Sequence, residues 1–560
     1  MTGFERARHP YLVTLTSSPV LVTDLSQMLK PLEVLKLYPE HDYTLNGAFA
    51  SRAQRDPQRP FILFGNKTWS WAEFGAAVER TARLLVVRGV KKADRLGVLA
   101  RNDIGHALLL FACARIGAIM VPSNPEFGVQ EAGYVLKHAG VSAVACNEDV
   151  LPVVREACGG VRPEPWFMLF DGRAADAPNF FEEIARAPLV QLPPPGGAED
   201  TVLIIYTSGT TGFPKGAMHS QHSFVMAGES NISRLWLQPD ERMMVVLPMF
   251  HVNALFYSTA GALAAGCTLV LMPRFSASEF WNAAVEYGVT QVNIIEAIGR
   301  ILARRPRSEF RPEHKITRLY GARADIVAPF RDDFHIEHLL GGFGMTEIPG
   351  VCCNPFEGPN KQGSMGPVGR HPDPARPWAQ CRVVDDDGNE VGAGVVGEFW
   401  VRHPIVMQGY FRDPEQTKAA FRDGWFMTGD LVVRDADGYY TFVSRKKDII
   451  RRRGENIAGA EIDRVIQSHP GVFEVAAVPV PSELGEDEIL VAIVPKPGVT
   501  LTPREISQWC AERLATMKVP RFVLFVSDLP HTPTHKVAKH VLKSDTTLKA
   551  RAVDLQAKEN

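Results

Sequence analysis

The sequence lacks the cysteine spacing that marks zinc sites and disulfide-rich domains. Its eight cysteines are scattered along 560 residues, and no two of them form a CxxC pair. This absence argues against a zinc site and against a disulfide framework, and it favours a cytoplasmic protein in a reducing cytosol. The eight positions are Cys113, Cys146, Cys158, Cys267, Cys352, Cys353, Cys381 and Cys510.

The sequence also lacks an excess of charge of either sign. It carries 61 basic and 63 acidic side chains, and its 45% hydrophobic and 22% charged residues are ordinary for a globular protein. The composition therefore gives no sign of a nucleic-acid partner or of an anionic membrane surface. We expect the partners to be small molecules, and the sequence leaves open whether the chain forms a homodimer.

A convincing signal peptide and a membrane span are absent as well. The start, MTGFERARHPYLVTLTSSPVLVTDL, has no basic segment followed by a continuous apolar block. Residues 253–273, NALFYSTAGALAAGCTLVLMP, carry no charge over a length that could cross a bilayer. Their first half is rich in Ala and Leu, Gly266 is a natural helix stop, and CTLVLM resembles a strand. We therefore expect a buried helix followed by a buried strand.

The length and the texture of the chain predict more than one domain, since single cores stop growing near about 250 to 300 residues. In the first part, helical blocks alternate with strand-like runs such as RLGVLA, IMVPSN, TVLIIY and CTLVLM, a pattern typical of doubly wound parallel sheets in an α/β protein. After about Gly366, short β runs with Asp-Gly turns predict a β-rich, antiparallel subdomain. We place an N-terminal domain at residues 1–445 and a small, mobile α+β domain at residues 446–560.

A loop rich in glycines and hydroxyls follows the strand TVLIIY and reads TSGTTGFPKG. Its glycines allow successive backbone N–H groups to converge, its hydroxyls add donors, and its lysine adds one positive charge. A proline precedes the lysine and a glycine follows it, which excludes the Walker A pattern GxxxxGK[ST]. The N–H groups, hydroxyls and lysine together nevertheless suit a polyphosphate. The candidate phosphate-binding residues are Thr207, Ser208, Gly209, Thr210, Thr211, Gly212 and Lys215.

This loop resembles the phosphate-loop signature of the adenylate-forming superfamily of acyl-CoA synthetases, adenylation domains and luciferases. Further motifs of that superfamily follow in order: GGFGMTE, WFMTGD, SRKKDIIRRRGENIAGAEID and LPHTPTHKVAK. The resemblance covers nearly the whole chain from about Tyr43. It is closest to the crotonobetaine/carnitine-CoA ligase-like and the medium- to long-chain acyl-CoA ligase groups.

The resemblance implies an AMP-forming acid–thiol ligase. Such an enzyme joins an acid to ATP to give an acyl-adenylate and pyrophosphate, then transfers the acyl group to coenzyme A, with Mg²⁺ required and a mobile domain alternating between the two half-reactions. Two alternatives stay open: an enzyme specialised for the thioester step from a preformed acyl-AMP, and a ligase that loads a carrier protein.

The superfamily motifs also imply a role for individual nucleotide-binding residues. Phe343 would stack on adenine beside Gly344, Thr346 would hydrogen-bond the α-phosphate, Glu347 would hold Mg²⁺, and Asp430 would accept the ribose hydroxyls. Structural alternatives exist for three of them. Glu347 could be a carboxylate at a helix N-terminus, Phe343 a core aromatic, and Asp430 a turn residue.

The remaining roles concern the moving domain and the acyl channel. Arg445 would contact ribose or phosphate, Lys447 would be the hinge, and Gly454 would line the pantetheine tunnel. Lys536 would enter between the carboxylate and the α-phosphate during adenylation. His251 would be the gate between the acyl pocket and the thiol channel, with a core histidine as the alternative.

The acid is expected to be hydrophobic and to lack an α-amine. His251 follows Phe250 where amino-acid-activating domains usually carry an aspartate, and the run 253–266, NALFYSTAGALAAG, is small and apolar. Three positions depart from the superfamily pattern. His535 replaces a glycine before Lys536, Arg451 replaces a common lysine, and Glu296 stands where proline is common, so that its carboxylate either recognises a polar acyl group or points into solvent.

Overall fold

The computed structural model describes residues 28–207, 214–322, 324–452, 455–482, 486–531 and 537–556. Several of the predicted site residues fall outside these ranges, and so does His535. The site residues outside the described ranges are Ser208, Gly209, Thr210, Thr211, Gly212, Gly454 and Lys536.

The strands of the first half are β1 (Pro60–Phe64), β2 (Lys67–Ser70), β3 (Arg95–Leu99), β4 (Ile119–Ser123), β5 (Ala143–Cys146), β6 (Trp166–Leu169), β7 (Thr201–Thr207), β8 (Lys215–Ser220), β9 (Arg242–Val245), β10 (Thr268–Leu271), β11 (Gln291–Asn293), β12 (Arg318–Tyr320) and β13 (His338–Leu340). Those of the second half are β14 (Gly342–Met345), β15 (Ile348–Cys353), β16 (Gln380–Val384), β17 (Val396–Arg402), β18 (Gly409–Tyr410), β19 (Phe421–Arg422), β20 (Trp425–Arg434), β21 (Tyr440–Arg445), β22 (Ile449–Arg452), β23 (Glu455–Ala458), β24 (Val472–Pro481), β25 (Asp487–Pro495), β26 (Phe522–Phe525) and β27 (Val553–Asp554).

The α-helices are α1 (Pro31–Leu35), α2 (Leu45–Arg55), α3 (Trp71–Val87), α4 (Ile104–Ile116), α5 (Val129–Ala139), α6 (Leu151–Ala157), α7 (Phe180–Arg186), α8 (Gln221–Leu235), α9 (Ala260–Ala265), α10 (Phe280–Glu286), α11 (Glu296–Arg304), α12 (Ala324–Ala328), α13 (Pro414–Ala420), α14 (Gly459–Gln467), α15 (Pro503–Ala511), α16 (Lys539–Ser544) and α17 (Leu548–Arg551).

Two seven-stranded sheets form the body of the chain. Their orders are β13-β12-β11-β9-β10-β1-β2 and β18-β8-β7-β4-β3-β5-β6. Most neighbouring strands are parallel, and antiparallel pairs occur at the ends, as between β7 and β8. Parallel strands need crossover helices, which explains the alternation of helical and strand-like blocks in the sequence. The predicted α/β class with doubly wound sheets is confirmed.

The uncharged run 253–273 folds as a buried helix followed by a buried strand. A π-helical segment, Asn253–Thr259, leads into α9, which ends at Gly266 with a φ of 73°. That left-handed geometry suits glycine because any Cβ would be strained there. β10 then lies inside the first sheet, so the prediction from sequence is confirmed. Among the helices of the described ranges, none is both long and apolar enough to cross a membrane.

The second half of the chain adds smaller sheets. β16, β17, β20, β19 and β21 form one five-stranded antiparallel sheet with the predicted Asp-Gly turns at Gly388 and Gly438, whose φ values are 93° and 83°. β24, β25, β26 and β27 form a mixed sheet, in which β25 and β26 are parallel and the two outer pairs are antiparallel, with α14 and α15 in the same part of the chain. The hydrophobic clusters of this last part begin at Ile450, and the large cluster of the body ends at Tyr440. A boundary after Arg445 fits this packing and remains a prediction.

Candidate active site

The predicted phosphate loop leaves β7 and enters β8. Thr207 and Lys215 are paired across these two strands, so the described ends of the loop are fixed beside each other. The Thr207 hydroxyl also lies 3.4 Å from the Lys215 carbonyl oxygen, to which it donates. The loop therefore starts at the carboxyl end of a strand inside the second sheet, where open α/β sheets bind their ligands.

Tyr410 joins two predicted site residues that are far apart in sequence. Its hydroxyl donates a 2.8 Å hydrogen bond to Oε1 of Glu347, and the Lys215 ammonium lies 4.2 Å from the centre of its ring. β18 holds Tyr410 in place by pairing with β8, which carries Lys215. Burial and the neighbouring Glu347 raise the pKa of Tyr410, so its hydroxyl stays protonated and acts as a donor. Tyr410 is a site residue that the sequence analysis missed, because its short run GYFRD does not stand out by composition or periodicity.

The motif GGFGMTE forms the hairpin β14–β15, with Thr346 and Glu347 at its turn. Phe343 packs edge-to-face on Phe399, with ring centres 5.6 Å apart, and it is only partly buried. A Cβ on Gly344 would lie 2.2 Å from the Tyr257 hydroxyl, so only glycine fits there. The predicted adenine-stacking ring thus sits on a hairpin that leaves part of its surface accessible.

His219 supports the turn that presents Thr346. Its Nε2 lies 2.8 Å from the Thr346 carbonyl oxygen, and since a carbonyl only accepts, Nε2 carries the proton. Burial lowers the pKa of His219 to about 4, so the ring is neutral at physiological pH. His219 is a site residue that the sequence did not reveal.

Asp430 and Arg445 face each other across β20 and β21. Arg445 Nε lies 3.4 Å from Asp430 Oδ1, and Asp430 is only 3% exposed. The structure therefore brings together the carboxylate predicted for the ribose and the arginine predicted for ribose or phosphate. Thr428 stabilises the turn before the carboxylate, because its hydroxyl accepts the Asp430 N–H at 3.1 Å.

Lys447 lies directly after this pair, in a 3₁₀ turn spanning Lys446–Asp448. Its carbonyl oxygen accepts a 2.9 Å hydrogen bond from Lys543 Nζ, which also lies 2.8 Å from Asp448 Oδ1. Partial burial, and next the Arg445 charge, lower the pKa of Lys447 to about 8. The predicted hinge is a short turn tied to α16 through Lys543.

Two further predicted positions have clear surroundings. His251 precedes the π-helical segment, accepts the Leu255 N–H on its carbonyl, and packs on Phe250 with ring centres 4.3 Å apart. Glu296 begins α11 and forms an ion pair with Arg300 at 2.5 Å, with 43% of its side chain exposed. Of the two readings of Glu296, the solvent-facing one agrees with this geometry.

The comparison with known families decides the identity of this site. A model described as AMP-binding enzyme matches residues 49–411, and one described as AMP-binding enzyme C-terminal domain matches residues 461–536. The chain belongs to the AMP-binding enzyme family. The matches confirm the family and the class of enzyme that the sequence predicts, an AMP-forming acyl-CoA ligase that binds ATP and AMP.

Curated relatives of this AMP-binding enzyme are similar over most of their length. The indoleacetate–CoA ligase of Aromatoleum aromaticum is 31% identical over 500 residues, which cover 86% of this chain and 94% of the relative. The long-chain-fatty-acid–CoA ligase FadD13 of Mycobacterium tuberculosis is 32% identical over 493 residues, 85% of this chain and 92% of the relative.

A solved structure supports the same assignment. ATP-bound MatB from Rhodopseudomonas palustris superposes with a TM-score of 0.81 at 28% identity, covering 91% of this chain and all of that one. An anthranilate–CoA ligase, AuaEII, in complex with anthranoyl-AMP superposes with a TM-score of 0.82 at 22% identity, which shows a shared fold.

Removal of the Tyr410 hydroxyl is expected to leave the Glu347 carboxylate less well positioned and to raise the Mg²⁺ requirement of the enzyme. In Tyr410→Phe, the ring beside Lys215 stays, whereas the hydrogen bond to the buried Glu347 carboxylate is lost, at a cost of about 1.5 to 3 kcal/mol. We expect the Mg²⁺ concentration for half-maximal pyrophosphate release to rise about tenfold with little change in melting temperature. Tyr439→Phe, whose hydroxyl donates to the Pro359 carbonyl, is the matched control. An unchanged Mg²⁺ requirement in Tyr410→Phe would contradict this role.

Proposed function

We propose that this AMP-binding enzyme activates a carboxylic acid with an apolar body and transfers it to coenzyme A. The observation that carries the proposal is the joining of Lys215, Tyr410 and Glu347 at the end of the phosphate loop. It places one cation and one carboxylate on either side of a protonated phenol. A nucleoside triphosphate bound with its metal needs a cation close to its phosphates and a carboxylate close to the metal.

The chemistry of adenylation accounts for this charge arrangement. A carboxylate oxygen attacks the α-phosphorus of ATP, and pyrophosphate leaves, so that two anions must approach each other. Lys215 and the N–H and hydroxyl groups of the loop would neutralise the phosphates, and Lys536 would do so for the carboxylate. In the second step, a thiol attacks the acyl carbonyl and AMP leaves.

Glu347 fits the role of a Mg²⁺ ligand. A carboxylate offers about four acceptor positions, and the Tyr410 hydroxyl uses one of them. Mg²⁺ commonly binds one or two carboxylates together with substrate phosphates and water, so a larger protein cage is not required. Within the described ranges, no group of three or more potential metal-binding side chains occurs, which agrees with such a site. When bound, the metal would neutralise charge that develops on the phosphates.

Coenzyme A and the rotation of the small domain are further parts of the proposal. Lys447 lies between the Asp430–Arg445 pair and β22, at the point where the two sets of hydrophobic clusters separate. A rotation there would withdraw Lys536 and bring Gly454 to the pantetheine channel. The relatives named as CoA ligases support the thiol acceptor.

The apolar body of the acid follows from the surroundings of His251. The π-helical segment that begins two residues later is buried throughout its apolar positions Ala254, Leu255 and Phe256. His251 stands at the position where an acidic side chain would bind an α-amine, so an acid without an α-amine is the expected substrate.

The cysteines bear on the cell compartment. None of the eight forms a disulfide, which favours the reducing cytoplasm.

A panel of acids tests the proposed function. Purified enzyme with ATP and Mg²⁺ should release pyrophosphate only when a cognate acid is added, and it should release AMP when coenzyme A is added as well. Aliphatic, aromatic and polycyclic acids should be compared in the same assay. Thioester formation only from supplied acyl-AMP, without pyrophosphate release, would instead favour the half-reaction enzyme, and a preference for a holo-carrier protein would favour the carrier-loading alternative.

A further inference from the structure

Arg234 is a buried cation close to the candidate active site. It lies in the last turn of α8 and is 4% exposed. Its Nη2 donates to the Tyr320 hydroxyl at 2.9 Å and to the Cys352 carbonyl at 3.4 Å, and its Nη1 donates to Asn231 Oδ1 at 3.1 Å. The guanidinium also lies 5.1 Å and 5.4 Å from the ring centres of Tyr257 and Tyr320.

This arginine has no acidic partner among the described residues, and the other buried arginines show how unusual that is. Arg318 pairs with Glu241, and Arg452 pairs with Glu488. Arg52 donates twice to the Ala264 carbonyl at the end of α9, where the helix dipole is negative. Within the part of the chain that the structure describes, Arg234 donates only to neutral acceptors, and it lies in the last turn of α8, where the helix dipole is negative. A buried charge is costly without a full counter-charge.

The surroundings of Arg234 also contain donors that lack an acceptor. Within the described ranges, Arg234 Nε, His403 Nε2 and Trp378 Nε1 are buried without a hydrogen-bond partner. His403 Nδ1 accepts the Ile405 N–H, so its proton is on Nε2. Burial, and then the Arg234 charge, lower the pKa of His403 to about 3, and its ring lies 4.3 Å from that of Trp378. The region has a surplus of donors and of positive charge.

The two tyrosines connect this cluster to the nucleotide hairpin. A Cβ on Gly342 would lie 2.5 Å from the Tyr320 hydroxyl, and one on Gly344 would lie 2.2 Å from the Tyr257 hydroxyl. These glycines flank Phe343, the ring assigned to adenine. Space for the guanidinium itself exists because Gly350 has no side chain, since a Cβ there would lie 2.1 Å from Arg234 Nη1. The chain therefore accommodates a buried charged group directly behind the hairpin that carries Phe343.

We propose that Arg234, Tyr257 and Tyr320 bind a second carboxylate at the far end of the substrate, so that the activated acid is a dicarboxylic acid with an apolar body. The inference rests on the proposed function and narrows its substrate class. A carboxylate would supply both the counter-charge and the acceptors that the cluster lacks. A site built around such a group rejects analogues without it, because its buried polar atoms would then stay unpaired.

The test compares matched acids on wild-type enzyme and Arg234→Met, which keeps an unbranched apolar side chain and removes the guanidinium with its charge. Octanedioate and octanoate, with the corresponding pairs from four to twelve carbons, serve as probes in the pyrophosphate-release assay. We expect wild type to prefer the dicarboxylate, and the ratio of kcat/KM for the dicarboxylate to kcat/KM for the monoacid to fall about 100-fold in Arg234→Met. Tyr320→Phe should also lower the preference for the dicarboxylate over the monoacid, by a smaller factor. It replaces Arg234→Met as the test variant if Arg234→Met does not fold.

Several outcomes would overturn the inference. The first is a wild-type enzyme that prefers the monoacid, together with an equal loss of kcat/KM for both acids in Arg234→Met. That result would assign Arg234 a purely structural role, while the proposed ligase activity would still stand. Equal kcat/KM values for 7-oxooctanoate and octanedioate would show that a neutral acceptor is enough, and would refute recognition of a second carboxylate. If no acid is converted, the proposed function fails, and calorimetry then decides the inference alone: dicarboxylate binding that weakens in Arg234→Met supports it, and equal or absent binding refutes it.

Discussion

Replacement of Lys536 with alanine should lower acyl-adenylate formation by about 10³-fold or more while leaving thioester formation from supplied acyl-AMP within a few-fold of wild type. The expectation rests on charge. During adenylation an anionic acid meets an anionic α-phosphate, and an ammonium group between them stabilises the transition state more than the separated reactants. The thioester step starts from a carbonyl already activated by AMP, so it needs no such cation.

Lys536 lies outside the described residues, but its loop is anchored on both sides by described ones. His531 and Val537 form an isolated antiparallel bridge, and the Ala538 N–H donates to the Pro530 carbonyl at 2.7 Å. The described residues on the two sides of this segment are therefore held together, and Lys536 directly precedes Val537 in the sequence. The His531 ring also lies 3.0 Å from the Glu474 carboxylate of β24, so the base of the loop is tied to the sheet.

The measurement is pyrophosphate release with a cognate acid, beside AMP release from chemically prepared acyl-AMP and coenzyme A. Lys549→Ala is the matched control, since its ammonium donates to the Pro481 carbonyl elsewhere in the same part of the chain. Equal loss of both half-reactions in Lys536→Ala would refute the division of labour. A wild-type enzyme already silent in the first assay would point to an adenylation step impaired by His535, which replaces the usual glycine.

The fold was largely predictable because its signals are local. Alternating helical and strand-like runs identify crossover connections, and a glycine such as Gly266 ends a helix wherever φ must be positive. The nucleotide motifs were predictable for the same reason, because each lies on one hairpin or one strand end. Asp430 and Arg445 meet because the strands that carry them pair in register.

The supporting residues were not predictable, because their roles arise only from contacts between distant parts of the chain. Tyr410 lies 63 residues from Glu347, and His219 lies 127 residues from Thr346. Arg234 follows an ordinary helical pattern, and what distinguishes it from a surface arginine is its burial without an acidic partner among the described residues. Short-range periodicity carries no information about such pairs.

Proline at Lys447 should have the opposite effect to alanine at Lys536. Lys447→Pro should slow thioester formation from supplied acyl-AMP by about 100-fold or more and leave pyrophosphate release within a few-fold of wild type, because proline fixes φ near −65° and restricts the residue before it. Lys447 lies in the 3₁₀ turn Lys446–Asp448, and 3₁₀ turns use φ values of about −50 to −70°, close to the value that proline fixes. The folded turn should therefore accept proline, whereas a large rotation about it should not.

Lys447→Ala separates the backbone from the side chain in this experiment. It removes the ammonium group, whose pKa burial lowers to about 8, but it leaves the backbone free to rotate and keeps the carbonyl that accepts from Lys543. If the hinge is the cause, Lys447→Ala should behave like wild type in the thioester assay, and Lys447→Pro should not. Equal losses in the two variants would assign the effect to the lysine side chain, and equal losses of both half-reactions in Lys447→Pro would show that the turn is needed for the fold rather than for rotation.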